Sequence, residues 1–242
     1  MKIGIVQCAA STGDLARNIN MHVDYTRKIV EHGANIIMFP ELSLTGYEPA
    51  LAENLATDKN DPIFQALEDL ATDTNVTICA GMPLRSDIGI TISMLIFGPA
   101  NIREVYSKQF LHDDEIPFFV AAPFQATTLE TLKISTAICY EIAVPAHVNA
   151  AATRNANIYL SSVVKYPGAM KTAYEQLSDI ASRYKMLVLM SNAVGLSEGV
   201  ICGGLSAIWN EEGKLLAQLN HREEGALIID TETRKVNTLL FD

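Results

Sequence analysis

Several things are missing from this 242-residue chain. No run of about 18 apolar residues occurs, so no membrane span is expected. The opening MKIGIVQCAA is apolar only briefly and carries Gln7, so no secretory leader is expected either, and the chain reads as cytoplasmic. Positive charge is scarce: 18 Lys and Arg against 28 Asp and Glu give a formal net charge of −10 and a pI near 5.0. That balance argues against a nucleic-acid backbone or an anionic membrane as partner. The four cysteines, Cys8, Cys79, Cys139 and Cys202, are far apart with no CxxC pair, which excludes a disulfide framework and a zinc knuckle. HExxH and GxxxxGK[ST] are absent, and no metal or organic cofactor is expected. With only 14 Gly and 9 Pro the chain is not collagen-like, and no linker, charge block or low-complexity stretch divides it.

What is present is an ordinary globular composition, 49% apolar and 19% charged, in one domain spanning residues 1–242. The first half alternates strand and helix. Strands are expected at 2–8, 35–39, 76–82, 90–97 and 101–107. Helices are expected at 14–32, with Gly33 at its C-cap, and at 61–74, with Pro62 at its first position. The second half repeats the theme, with strands at 132–138, 157–161, 187–191 and 226–230 and helices at 145–154 and 169–185. A hairpin is expected over 207–219, turning at Glu212-Gly213. Helices and strands mixed in this way imply an α/β layered fold.

Three strand ends could carry chemistry, because a sheet holds such positions rigidly. Glu41 follows a buried strand and Pro40; Lys108 closes the strand ending Tyr106-Ser107; Cys139 closes 132–138, with Glu141 beside it. A carboxylate to take a thiol proton, a cation to hold a developing oxyanion and a thiol to attack carbon form a coherent set if they converge. Each residue alone also has a plainer reading, as a solvated charge or a buried thiol. Periodicity does not say that they meet.

The segments Phe39-Pro40-Glu41-Leu42-Ser43-Leu44-Thr45-Gly46-Tyr47, Tyr106-Ser107-Lys108-Gln109-Phe110-Leu111 and Ala137-Ile138-Cys139-Tyr140-Glu141 resemble, in order and separation, the three signature regions of the nitrilase superfamily, the carbon–nitrogen hydrolases. The opening strand and the stretch 203–213 are similar too. The resemblance implies a four-layer αββα sandwich paired into a homodimer or larger homo-oligomer. It implies Glu41 as general base, Lys108 as stabiliser of the tetrahedral intermediate, Cys139 as nucleophile and the Tyr140 amide in the oxyanion hole. A second carboxylate near the cysteine is also implied. Glu115 is the candidate, Asp113 and Asp114 compete with it, and a surface acidic turn is the plain alternative. Glu141 and Asn192 are candidates for the substrate pocket. The implied activity is hydrolysis of a small-molecule amide through a thioester, with N-carbamoyl and nitrile hydrolysis as alternatives on the same triad.

The chain departs from the family pattern after the cysteine. Glu141 stands where many amidases have aspartate, Ala143 where they have arginine and Ala146 where they have glutamate. These changes bear on the pocket and support a rival of another class, a non-catalytic scaffold on the same fold. A chemical rival pairs Cys139 with His112 or His147. The sequence Gly195-Leu196-Ser197-Glu198-Gly199 matches GxSxG, but no helical pattern follows, so it reads as a loop. Lys165, Lys171 and Arg183 could attract a substrate carboxylate, although solvated surface is the commoner role for such side chains.

Overall fold

The computed structural model describes residues 1–241. In chain order the elements are β1 (Lys2–Gln7), α1 (Leu15–Val30), β2 (Ile36–Met38), the short α2 (Ala52–Leu55), α3 (Gln65–Thr74), β3 (Thr77–Ser86), β4 (Gly89–Gly98) and β5 (Ile102–Ser107). The second half runs α4 (Thr128–Thr131), β6 (Ile134–Ile138), α5 (Pro145–Thr153), β7 (Ile158–Val163), α6 (Met170–Tyr184) and β8 (Leu187–Asn192). It ends with β9 (Leu196–Ser197), β10 (Val200–Ile201), β11 (Ala207–Trp209), β12 (Leu215–Gln218), β13 (Gly225–Asp230) and β14 (Val236–Leu240).

Two sheets carry the fold. One has the order β14-β13-β1-β2-β3-β4-β5 and the other β12-β11-β8-β7-β6. In each, three consecutive strands run parallel, β1-β2-β3 and β6-β7-β8, and the flanking strands are antiparallel. Period-2 alternation then sorts the side chains. Ile3, Ile5, Ile36 and Met38 of the first sheet face Ile134, Ile158, Leu160 and Leu189 of the second, in one inter-sheet core. The alternate residues Ile37, Ile78 and Phe97 pack outward on Ile19 and Val23 of α1 and Leu67 and Leu70 of α3. Ala137, Tyr159 and Val188 pack on Val148 of α5 and on Leu177 and Ile180 of α6. Helices therefore cover both outer faces, which is the αββα order, and the inner strands read as near-continuous apolar runs because both their faces are buried.

Local chemistry explains the ends and the differences from expectation. Asp14 caps α1, accepting a hydrogen bond from the Arg17 amide at 3.1 Å. The helix stops at Val30 with Glu31 as cap, and Gly33 takes φ +80 beyond it, in the turn rather than at the cap. The strand expected from residue 132 begins at Ile134, because Lys133 adopts φ +58 after the short α4. Two features lacked a clear pattern: the exposed edge strand β14, and the β9–β10 hairpin of two-residue strands. The GxSxG sequence spans that hairpin, and Ser197 donates to the Tyr47 carbonyl at 2.7 Å, so no strand-to-helix elbow exists there. Among the described residues no helix is long and apolar enough to cross a membrane.

One buried side chain has a measurable consequence. His22 is fully buried between the Asn18 carbonyl (2.7 Å) and Ser43 Oγ (2.9 Å), and burial holds its pKa down to about 4. An unfolded histidine takes up a proton near pH 6.5, so the contribution of His22 is fully present above that pH and is lost as pH falls toward 4. At roughly 1.4 kcal/mol per pH unit, the loss amounts to about 3 kcal/mol. The urea midpoint is expected to fall between pH 7 and pH 4.5, and His22→Gln to flatten that share of the slope. An unchanged slope in the variant contradicts the assignment.

Candidate active site

Glu41, Lys108 and Cys139 leave three different strands. Glu41 lies three residues beyond the end of β2, Lys108 directly follows β5, and Cys139 directly follows β6. The Lys108 ammonium is fully buried and shared by two carboxylates, with Nζ 2.9 Å from Glu41 Oε1 and 2.6 Å from Glu115 Oε1. Glu115 also accepts from Tyr47 OH (3.1 Å) and from the His112 amide (2.8 Å). The other oxygen of Glu41 accepts from the Val164 amide at 3.2 Å, and Glu41 and Cys139 lie near enough for each to shift the other's ionisation. The Val164 carbonyl stands 3.6 Å from Cys139 Sγ. Of the three neighbouring acids, Glu115 is the one that meets Lys108. Asp113 is exposed and Asp114 pairs with His112 at 2.6 Å.

Cys139 begins a short 3-10 turn, Cys139–Ala143, and holds φ +45, a left-handed conformation that costs a residue with a Cβ about 1–3 kcal/mol. The turn bends the chain so that the thiol projects from the strand end. The Tyr140 amide lies in the first turn, where N–H groups have no acceptor within the helix, and its ring is partly exposed, edge-on to His112 at 5.2 Å.

The electrostatics follow from burial and from two carboxylates sharing one cation. Burial, with Glu115 reinforcing it and Lys108 opposing it, raises the Glu41 pKa above the ordinary carboxylate range. Burial works against the Lys108 charge, but Glu41, Cys139 and Glu115 outweigh it and hold the ammonium protonated well above neutrality. The Cys139 thiol is pushed up to about 11 by burial and then by Glu41, with Lys165 and Lys108 pulling the other way. The resting thiol is therefore neutral, and its proton has an adjacent acceptor in Glu41.

Glu141 and Asn192 are not where a pocket-lining role needs them. Glu141 is fully buried, taking hydrogen bonds from the Ile138 amide (2.7 Å), the Gln109 amide (2.6 Å) and Tyr106 OH (2.7 Å). Asn192, also buried, accepts from the Lys165 amide (2.8 Å) and donates to the Gly204 carbonyl (2.6 Å). Both are turned inward because main-chain groups in loops need partners when water is excluded. The histidine rival finds no geometry. His147 sits between Tyr106 OH (2.8 Å) and Tyr159 OH (2.9 Å), and His112 faces Asp114. Sequence reasoning gave no role to Tyr47, although the residue lies inside the first motif, and none to Val164, which acts through its main chain. Among the described residues no group of three or more His, Cys, Asp or Glu side chains is placed to hold a metal ion. A narrow cleft lined in part by Pro40, Tyr47, Val164 and Leu196 reaches Glu41.

The profile of the carbon–nitrogen hydrolase family matches residues 2–238. A probable nitrilase of Schizosaccharomyces pombe is 24% identical over 239 residues, which is 93% of this chain and 86% of that protein. A 2-oxoglutaramate amidase of Bacillus subtilis is 26% identical over 229 residues, 92% of this chain and 87% of the relative. Among solved structures, a mutant of the amidase from Nesterenkonia sp. AN1 has the acetamide moiety of fluoroacetamide covalently added at its active-site cysteine. It superposes with a TM-score of 0.84 at 23% identity, covering 95% of this chain and 89% of that one. The likeness shows a common fold.

The position of Glu41 depends on a close approach. The loop after β2 crosses β3 at Gly81, whose carbonyl accepts the Leu44 amide at 2.9 Å and whose amide donates to Ser43 Oγ at 3.3 Å. A Cβ at Gly81 meets the Leu42 nitrogen at 2.2 Å and the Glu41 carbonyl carbon at 2.9 Å, both backbone atoms that cannot swing away. Gly81→Ala is expected to displace Glu41, lowering both the melting temperature and Cys139-dependent turnover, the latter on the order of 10²-fold. Gly168→Ala, with nothing within 4 Å, is expected to change neither. Equal behaviour of the two variants in melting and turnover assays contradicts the account.

Proposed function

The chain belongs to the carbon–nitrogen hydrolase family, and from that premise we propose that it hydrolyses a small non-peptide amide to an acid and ammonia or an amine through a thioester on Cys139. The observation that carries this reading is the buried Lys108 ammonium held between Glu41 and Glu115, near enough to Cys139 that Glu41 and Lys108 both shift the ionisation of its thiol. That arrangement pairs a base with a cation in the buried interior, beside the partly buried nucleophile. The attached acetamide moiety in the Nesterenkonia amidase supports the assignment of Cys139 as nucleophile.

The reaction runs in two halves. Glu41 takes the thiol proton as Sγ attacks the amide carbonyl, and the oxyanion meets the Tyr140 N–H and the Lys108 ammonium. The C–N bond breaks as Glu41 returns that proton to the departing nitrogen, leaving the acyl group on Cys139. Water then gives a proton to Glu41 and its oxygen to the acyl carbon. The C–S bond breaks, the acid leaves, and the thiolate recovers the proton from Glu41. Lys108 stays charged throughout. Glu115 offsets that charge and fixes its position. The reading extends to a homodimer, which light scattering on the purified protein measures directly.

Ammonia release from small amides, ω-amides, N-carbamoyl compounds and nitriles tests the proposal. Release by the wild type that vanishes in Cys139→Ala is expected, with an amide as the best substrate. Glu41→Gln is expected to lower kcat/KM by about 10²–10⁴-fold. Since Glu41 acts unprotonated and its pKa is raised, the acid limb of the wild-type pH profile is expected above the ordinary carboxylate range. Release that persists in Cys139→Ala sinks the mechanism, and no release together with an unreactive Cys139 thiol returns the choice to a scaffold.

A further inference from the structure

Lys108 and Cys139 are carried by different sheets. β5 is one edge of the seven-stranded sheet and β6 one edge of the five-stranded sheet, and no backbone ladder joins them. Their relative position is therefore set by side chains. We propose that Glu141 is the positioning residue that fixes the spacing between Cys139 and Lys108, by holding the main chain beside each of them with one carboxylate; this rests on the hydrolase reading above.

The geometry is specific. Oε1 accepts from the amide of Gln109, the residue after Lys108, at 2.6 Å, and Oε2 accepts from the amide of Ile138, the residue before Cys139, at 2.7 Å. The bond at Ile138 braces the elbow where Cys139 holds φ +45. Tyr106 OH donates to Oε2 at 2.7 Å, so its oxygen must accept from His147 Nε2 at 2.8 Å, which leaves His147 Nδ1 to accept from Tyr159 OH at 2.9 Å. Burial holds the His147 pKa down to about 4, which agrees with a neutral ring in this relay. All three partners of Glu141 are donors, so a carboxylate satisfies them and a group bearing a hydrogen does not. Burial raises the Glu141 pKa to about 7, with the Ile138 amide, Tyr106 and the Gln109 amide opposing it.

The test uses Glu141→Gln, which keeps the shape but turns an N–H toward one of the two amides, and Tyr106→Phe, which removes a donor yet leaves both main-chain bonds. Both are read per folded molecule, with melting followed separately. A displacement of about 1 Å is enough to lower kcat on the order of 10²-fold. That loss is expected for Glu141→Gln, with KM within about threefold and iodoacetamide alkylation of Cys139 slowed about tenfold. Tyr106→Phe is expected to melt lower but to keep kcat and the alkylation rate within about threefold. Should Glu141→Gln not fold, Glu141→Asp, too short to span both amides, carries the same expectation. Wild-type kcat and alkylation in the folded Glu141 variant, or an equal loss in Tyr106→Phe, overturn the proposal. If the wild type releases no ammonia from any amide, the alkylation rates alone decide on Glu141, and the failure belongs to the hydrolase reading.

Discussion

One ammonium between two carboxylates in a dry interior is the constraint around which the rest of the site is arranged. A buried charge is strongly destabilising unless it is paired and hydrogen-bonded, and removing one member of such a group costs about 3–5 kcal/mol. Lys108 meets that requirement with Glu41 and Glu115, and the two acids are in turn supplied with donors by Val164, Tyr47 and His112. Burial raises the Glu41 pKa, and with two acids to one base Glu115 adds to that rise against the pull of Lys108. Burial, and then Glu41, keeps the thiol protonated at rest, and Glu41 is the neighbour able to take the proton.

Holding such a cluster requires the ends of both sheets to be tied together, and the ties are polar. Ser162 of β7 donates to the Phe39 carbonyl at 2.9 Å, and Ser191 of β8 donates to the Val6 carbonyl at 2.6 Å. The Ser206 amide donates to Gln7 Oε1 at 2.9 Å. Each small group enters the apolar seam already paired, so none leaves an orphan donor there. The greasy middle of the sandwich supplies burial, while the hydrogen bonds at its ends supply register between sheets that share no ladder.

Much of this was legible because period and punctuation coincide. The apolar runs of β1, β7 and β8 and the strand-end positions of Glu41, Lys108 and Cys139 all follow from rules of local structure. The illegible parts have physical reasons. Val236–Leu240 is an exposed edge strand, so burial imposes no clean alternation on it. Which of Asp113, Asp114 and Glu115 turns inward depends on a loop whose course no period describes. Glu141 read as a pocket residue because a carboxylate beside a nucleophile suggests contact with substrate. Its real neighbours are main-chain amides, and these have no signature in sequence. Val164 was invisible for the same reason, since any residue offers that N–H and that carbonyl.

The pairing of β1 with β13, from Lys2 opposite Asp230 to Gln7 opposite Gly225, has a consequence for biosynthesis. β1 lies inside its sheet, and one of its neighbours, β13, is made more than 200 residues later. At about 5–20 residues per second, that flank stays open for on the order of ten seconds or more. An apolar strand with a free edge is a template for unwanted pairing. The nascent chain thus depends on α1, β2 and β3 to shelter β1 until β13 arrives to seal it.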